Sequence, residues 1–230
     1  MSKRGVSSNL PFSSTGFLPK EEMLEIGRKS SNLVIGLAKD DPVVESRVAL
    51  TPEAVEILVN QGHEVIVETG AGKEAKYKDT DYSENGGFIV DNKEQVYQCD
   101  IILKISPLKS SEIDALKGDQ VIITSLNLPQ QDEECIRKMM RKKVIAIAFE
   151  FLRDDDNSFP VIRAMSEIAG TTSILVASEY LSNSREGKGV MLGGVTGITP
   201  TEVVILGAGT AAEYPARAAI GLGASLKIFD

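Results

Sequence analysis

Apolar residues come in short runs of strand length, separated by stretches with helical spacing. Leu33-Val34-Ile35-Gly36-Leu37 is the first run, and order is expected to begin there. Residues 1–31, rich in Ser, Gly and Lys, read as a flexible N-terminal arm, with one helical turn at the acidic-apolar stretch Glu21–Ile26. Thr51-Pro52 starts a helix, Thr51 as N-cap and Pro52 at the first helical position, with Val55, Leu58 and Val59 as its apolar face. Gln61-Gly62-His63 ends it, and Glu64–Glu68 is the next strand. Further strands are expected at Gly87–Val90, Asp100–Ile105, Gln120–Thr124 and Val144–Phe149, with a helix at Gln131–Arg141 between the last two. Such alternation predicts a parallel sheet with helices on both faces.

After the polar turn Asp154-Asp155-Asp156-Asn157, Val161–Leu181 reads as a long helix. Met165, Ile168, Ala169, Thr172, Leu175, Val176 and Leu181 recur at helical spacing. A glycine-rich connector, Gly187-Lys188-Gly189 and Gly193–Gly197, follows. Val203–Leu206 is then a short strand, Thr210–Leu222 a helix stopped by Gly223, and Ser225–Phe229 a second strand. The expected fold class is α/β: two doubly wound parallel-sheet (Rossmann-like) domains, the second truncated after its first β-α-β unit. The expected divisions are the arm at 1–31, an α/β domain at 32–158, and a linking helix with the start of a nucleotide-binding domain at 159–230.

Composition narrows the classes. A net charge of −8 disfavours a nucleic-acid partner. No apolar run reaches the roughly 20 residues needed to span a bilayer, and the start lacks the apolar core of a secretory signal, so no membrane insertion is expected. Cys99 and Cys135 stand in no metal-ligand spacing, so no metal is expected and a reduced, cytoplasmic setting is the default.

Gly207-Ala208-Gly209-Thr210-Ala211-Ala212 joins the last strand to the last helix. Gly207 permits a tight turn, Gly209 lets a pyrophosphate approach the backbone, and Ala212 lets the helix pack closely on the sheet. The helix start at Thr210 and Ala211 offers free N–H groups to phosphate. Asp230, 23 residues after Gly207, ends the second strand where an acid would bind the adenosine ribose hydroxyls and repel a 2′-phosphate. Strand, glycine turn, helix and acid together point to NAD as cofactor.

Beyond that motif, the chain resembles the alanine dehydrogenase and pyridine-nucleotide transhydrogenase alpha-subunit family from Leu33 to Asp230. The segments that carry the likeness are Glu45–Pro52, Gly62–Val65, Asp100–Lys104, Met165–Gly170 and Gly189–Gly197. The resemblance implies a substrate-side domain at 32–158, an NAD(H)-binding domain after it, and a cleft between them. It implies a small-molecule substrate, either an amino acid and its 2-oxo acid or a second nucleotide. It also implies a homo-oligomer, hexameric in alanine dehydrogenases; transhydrogenase alpha subunits are dimers that dock on a membrane partner subunit. Arg47 matches the arginine that grips the substrate carboxylate, and Ser166 a serine near the bound nucleotide.

Two residues depart from the dehydrogenase pattern. Ser106 stands where the family has a substrate-binding lysine, and Asn127 where it has a catalytic histidine, so the catalytic residues are unknown. Asn127 can take no proton at pH 7, and Ser106 replaces no positive charge. The one histidine, His63, is expected to be structural. The family's catalytic aspartate lies beyond Asp230, and the 230-residue chain alone is expected to be inactive. Three readings stand: an NAD-dependent oxidoreductase resembling alanine dehydrogenase; the NAD(H)-binding alpha subunit of a proton-translocating transhydrogenase; and a non-catalytic NAD-binding regulatory protein.

Overall fold

The computed structural model describes residues 32–230, so the arm expected at 1–31 and its helical turn lie outside the described residues. The elements are β1 (Val34–Leu37), α1 (Pro52–Asn60), β2 (Glu64–Glu68), α2 (Asp79–Glu84), β3 (Phe88–Val90), α3 (Lys93–Val96), β4 (Ile101–Leu103) and α4 (Ser110–Asp114). They continue with β5 (Val121–Thr124), α5 (Glu133–Arg141), β6 (Ile145–Ala148), α6 (Pro160–Leu181), β7 (Glu202–Leu206), α7 (Thr210–Gly221) and β8 (Ser225–Phe229).

The first six strands form one parallel sheet in the order β3-β2-β1-β4-β5-β6. This is the doubly wound Rossmann order, which reverses between β1 and β4. Strand residues alternate between two cores. Ile35, Leu37, Val65 and Val67 pack with Val55 of α1 and Tyr82 of α2. On the other face Ile102 and Ile122 pack with Val96 of α3, Ile113 of α4, and Cys135 and Met139 of α5. Gly36 marks the tightest approach, because a Cβ there would lie 2.6 Å from the Val96 carbonyl oxygen. The helices therefore cover both faces, as the alternation of strands and helices implied.

The Thr51 cap matches the reading of the chain, while α5 starts two residues later than expected because Asp132 caps it. Thr51 Oγ1 accepts the Ala54 N–H (3.3 Å) with Pro52 at the first position of α1. Asp132 caps α5 by accepting the Glu134 N–H. The strands β4 and β6 are shorter than expected, each for an identifiable reason. Ile105 turns its N–H to the Asp40 carboxylate instead of the ladder, and Phe149 enters a short 3-10 turn. The helices α2, α3 and α4 were not foreseen: one or two turns cannot display a 3.6-residue apolar period.

A second, two-stranded parallel sheet pairs β7 with β8 through α7. The long helix α6 packs on α7, but not by the stripe that its sequence suggested. Ile168, Leu175 and Val176 are exposed, while Gly170 and Ile174 are buried. The cause is the missing side chain at Gly170, where a Cβ would lie 2.6 Å from Pro215 Cδ, 3.0 Å from Tyr214 Cβ and 3.1 Å from the Ala211 carbonyl oxygen. Ile174, Leu192 and Ala219 form the small core beneath. Among the described residues no helix is long and apolar enough to cross a membrane.

Candidate functional site

In open parallel sheets a ligand crevice forms outside the carboxyl ends of the strands, where the strand order reverses. Here that place lies between β1 and β4. Asp40 follows β1 and reaches across it: Oδ2 accepts the Ile105 N–H and Oδ1 the Ser106 N–H, both at 3.0 Å. The Thr124 hydroxyl, at the end of β5, donates to the Ser106 carbonyl oxygen at 2.8 Å. At the end of β6, Glu150 holds the next loop in the same manner. Its Oε1 accepts the N–H of Leu126 at 3.0 Å and of Asn127 at 2.7 Å. Asn127 sits in the left-handed region (φ 44°, ψ 48°), and its Nδ2 donates to Gln130 Oε1.

Ser106 and Asn127, the two departures from the dehydrogenase pattern, thus occupy neighbouring strand ends. Each is fixed through its backbone by a carboxylate from a flanking strand. Ser106 Oγ and Glu150 Oε2 are buried and find no hydrogen-bond partner among the described residues. Two acceptor oxygens in that condition suit a ligand that brings N–H or O–H donors.

Lys104, two residues before Ser106, does not supply the missing cation. It is 2% exposed, and its Nζ lies 2.9 Å from Glu112 Oε2 and 3.0 Å from Oε1. Glu112 also accepts the Lys109 N–H. Burial, with Glu112 beside it, pushes the Tyr97 phenol well above its ordinary value. The ammonium is therefore committed to the interior.

Arg47 lies in the extended segment between β1 and α1. Glu45 Oε1 accepts both its backbone N–H (2.9 Å) and its Nε–H (2.8 Å). The hydrogen bond from Arg47 holds the Glu45 carboxyl below the usual carboxylate range, and the same bond raises Arg47 above its ordinary value. Arg47 Nη1 contacts Met165 Sδ at 3.2 Å, which brings the guanidinium to α6 one residue before Ser166. The Asp40 carboxylate, which accepts the Ser106 N–H, also raises Arg47 electrostatically, less than Glu45 does. His63 is elsewhere: in the turn that leads into β2, at the amino ends of the strands, its Nδ1 accepts the Leu33 N–H.

On the nucleotide side, Gly207 adopts φ +98°, a conformation that favours glycine. A Cβ at Gly207 or Gly209 would meet no heavy atom within 4 Å, so both glycines border open space that side chains would otherwise begin to fill. Gly209 caps α7, whose first residues are Thr210, Ala211 and Ala212. Asp230 Oδ1 accepts the Ala208 N–H at 3.0 Å, so the acid lies against the glycine turn. Beside that turn, a cavity of about 380 Å³ is lined by Ser158, Phe159, Ile162 and Arg163 at the start of α6 and by Thr210 and Glu213 of α7. The glycine turn, open to a phosphate, and Asp230 beside it, an acid for ribose hydroxyls, suit a dinucleotide; of the cavity's lining only Thr210 belongs to that motif.

Asp40, Glu150 and Arg163 were not singled out from sequence. The two carboxylates act through backbone amides of other strands, so no local spacing announces them. An acid just past the carboxyl end of a parallel strand is the one signal that could have found them.

Two family models match consecutive parts of the chain: alanine dehydrogenase/PNT, N-terminal domain, over residues 36–169, and alanine dehydrogenase/PNT, C-terminal domain, over residues 173–230. Their junction falls inside α6. The alanine dehydrogenase of Staphylococcus epidermidis is 38% identical over 196 residues, covering 85% of this chain and 53% of that protein. The chain thus spans about half the length of the curated relatives it matches. Among solved structures, an L-alanine dehydrogenase superposes with a TM-score of 0.78 at 36% identity, over 86% of this chain and 55% of that one. A transhydrogenase from Sinorhizobium meliloti superposes with a TM-score of 0.73 at 25% identity, over 86% and 58%. Matched across 36–169 and 173–230 by both domains in order, the chain belongs to the alanine dehydrogenase/PNT family.

Proposed function

We propose that the protein acts as an NAD-dependent oxidoreductase of the alanine dehydrogenase type, converting L-alanine and NAD+ to pyruvate, ammonia and NADH. The observation that carries this reading is the Asp230 carboxylate bonded to the Ala208 N–H, beside the open Gly207–Gly209 turn. In it, Gly207, Gly209, Thr210, Ala211 and Ala212 hold the diphosphate, Asp230 the adenosine ribose, and Ser166 the nearby nucleotide. The nicotinamide, when bound, supplies the hydride acceptor.

Arg47 binds the substrate carboxylate. A planar guanidinium can grip both oxygens, and here Glu45 presents it in one orientation. Ser106 Oγ and Glu150 Oε2 are the acceptors placed near the end of β5 for the substrate's N–H or O–H groups. Asn127 donates and accepts hydrogen bonds but takes no proton, so proton removal falls to water or to a group that the described residues do not contain.

Ser106 and Asn127 also favour a second reading, the NAD(H)-binding alpha subunit of a proton-translocating transhydrogenase. Hydride transfer between two nucleotides needs neither an ammonium nor a base for an amino acid. The non-catalytic regulator remains as the outcome in which nothing turns over. We infer a cytoplasmic homo-oligomer on either enzymatic reading.

Steady-state assays separate them. One arm supplies NAD+ and L-alanine, the other NADPH and a thio-NAD analogue. Alanine-dependent NADH formation supports the first reading, and thio-NAD reduction without it supports the second. Nucleotide binding with neither activity would leave the regulator.

A further inference from the structure

We propose that Arg163 is a direct ligand of the dinucleotide's diphosphate, an anchor outside the glycine turn. The proposal deepens the nucleotide reading above and rests on it. Arg163 lies in the first turn of α6, across the 380 Å³ cavity from Thr210, the residue that follows Gly209. Two glycines bring a phosphate close to the backbone but offer it no positive charge. The acids nearby, Asp230 and Glu213, oppose an anion, as does a chain of net charge −8. Glu213 is offset by its own i,i+4 partner, Arg217. Arg163 is then the one cation among the lining residues; Glu213 and Glu167 act on it electrostatically, but among the described residues no carboxylate lies within ion-pair distance of it.

Its geometry suits the task. Arg163 Nε donates to the buried Tyr214 hydroxyl at 3.3 Å. That bond occupies one of the five guanidinium donors and steadies the group, leaving the four Nη donors without a protein partner among the described residues. A planar fork of N–H donors binds two phosphate oxygens at once, which an ammonium cannot do. Tyr214 is held in turn by the close α6–α7 contact at Gly170. The close contact of α6 with α7 thereby also orders the anchor.

The test is a set of binding titrations on the full chain at one salt concentration. NADH is followed by its fluorescence, with ADP-ribose and adenosine as competitors. Wild type, Arg163→Gln and Arg163→Lys are compared. Arg163→Gln is expected to weaken NADH and ADP-ribose by about tenfold, the effect of one charge-assisted contact, and to leave adenosine unchanged. Arg163→Lys should recover only part of the loss. The salt dependence of NADH binding should also flatten in Arg163→Gln. Unchanged NADH and ADP-ribose affinity in Arg163→Gln would overturn the proposal. An equal loss for adenosine would overturn it too, because damage to the cavity does not discriminate by phosphate. If wild type binds none of the nucleotides, the nucleotide reading fails, and the anchor fails with it.

Discussion

The Glu150 carboxylate holds Asn127 by its backbone: Oε1 accepts the Asn127 N–H at 2.7 Å and the preceding Leu126 N–H at 3.0 Å. One oxygen thus fixes a left-handed residue at the end of β5. Asp40 does the same for Ile105 and Ser106 at the end of β4. The two positions that depart from the dehydrogenase pattern are therefore rigid. Their change of residue type alters the chemistry on offer without loosening the loops that present it.

Truncating Glu150 should release its turn. Glu150→Ala is expected to cost about 1–3 kcal/mol, the penalty for two unpaired amides, and to speed hydrogen exchange at Leu126 and Asn127. Glu150→Gln keeps an acceptor oxygen and should retain much of the protection. At Asn127 itself, glycine should be tolerated, while valine should cost at least about 1 kcal/mol for the left-handed backbone. Unchanged exchange in Glu150→Ala would show that the clamp is not what holds the turn.

Glu112 and Lys104 make an asymmetric pair. Glu112→Ala strands an ammonium that is 2% exposed, and about 3 kcal/mol of stability should be lost. Lys104→Met leaves the Glu112 carboxylate, which is 14% exposed and still accepts the Lys109 N–H, so it should cost less. Urea unfolding of both variants checks the order. A costlier Lys104→Met would mean that the ammonium makes a contact beyond Glu112.

Gly170 is the closest approach of α6 to α7. Gly170→Ala places a methyl 2.6 Å from Pro215 Cδ and 3.1 Å from the Ala211 carbonyl oxygen. Overpacking of this kind costs about 1–3 kcal/mol, against the gain that alanine usually brings inside a helix. A lowered thermal midpoint is the expected result. A raised one would show that the two helices part easily.

Much of the fold was legible because its signals are local. Thr51-Pro52 and the strand–glycine–helix run at 203–212 each declare themselves within a few residues. Where the reading failed, distant residues decided. The packed line of α6 was misassigned because Gly170, an apparent weak point in a helix, is the contact that Pro215 seeks. Ile105 left its strand because Asp40, 65 residues away, takes its N–H. The candidate site was half visible: Arg47, Ser106, Asn127 and Asp230 stand out by type and position. Asp40 and Glu150 act only through other residues' amides, and Arg163 acquires its meaning once Tyr214 and Thr210 are folded against it.

The central claim is that the Gly207–Gly209 turn and Asp230 form a site for NAD(H). Parallel titrations with NADH and NADPH, followed by nucleotide fluorescence in a chain that contains no tryptophan, test it most directly. Saturable NADH binding, markedly weaker NADPH binding, and a narrowed gap in Asp230→Ser are the predicted results, since on that claim the carboxylate would repel a 2′-phosphate. Absence of NADH binding, or NADPH binding as tight as NADH, would contradict the account.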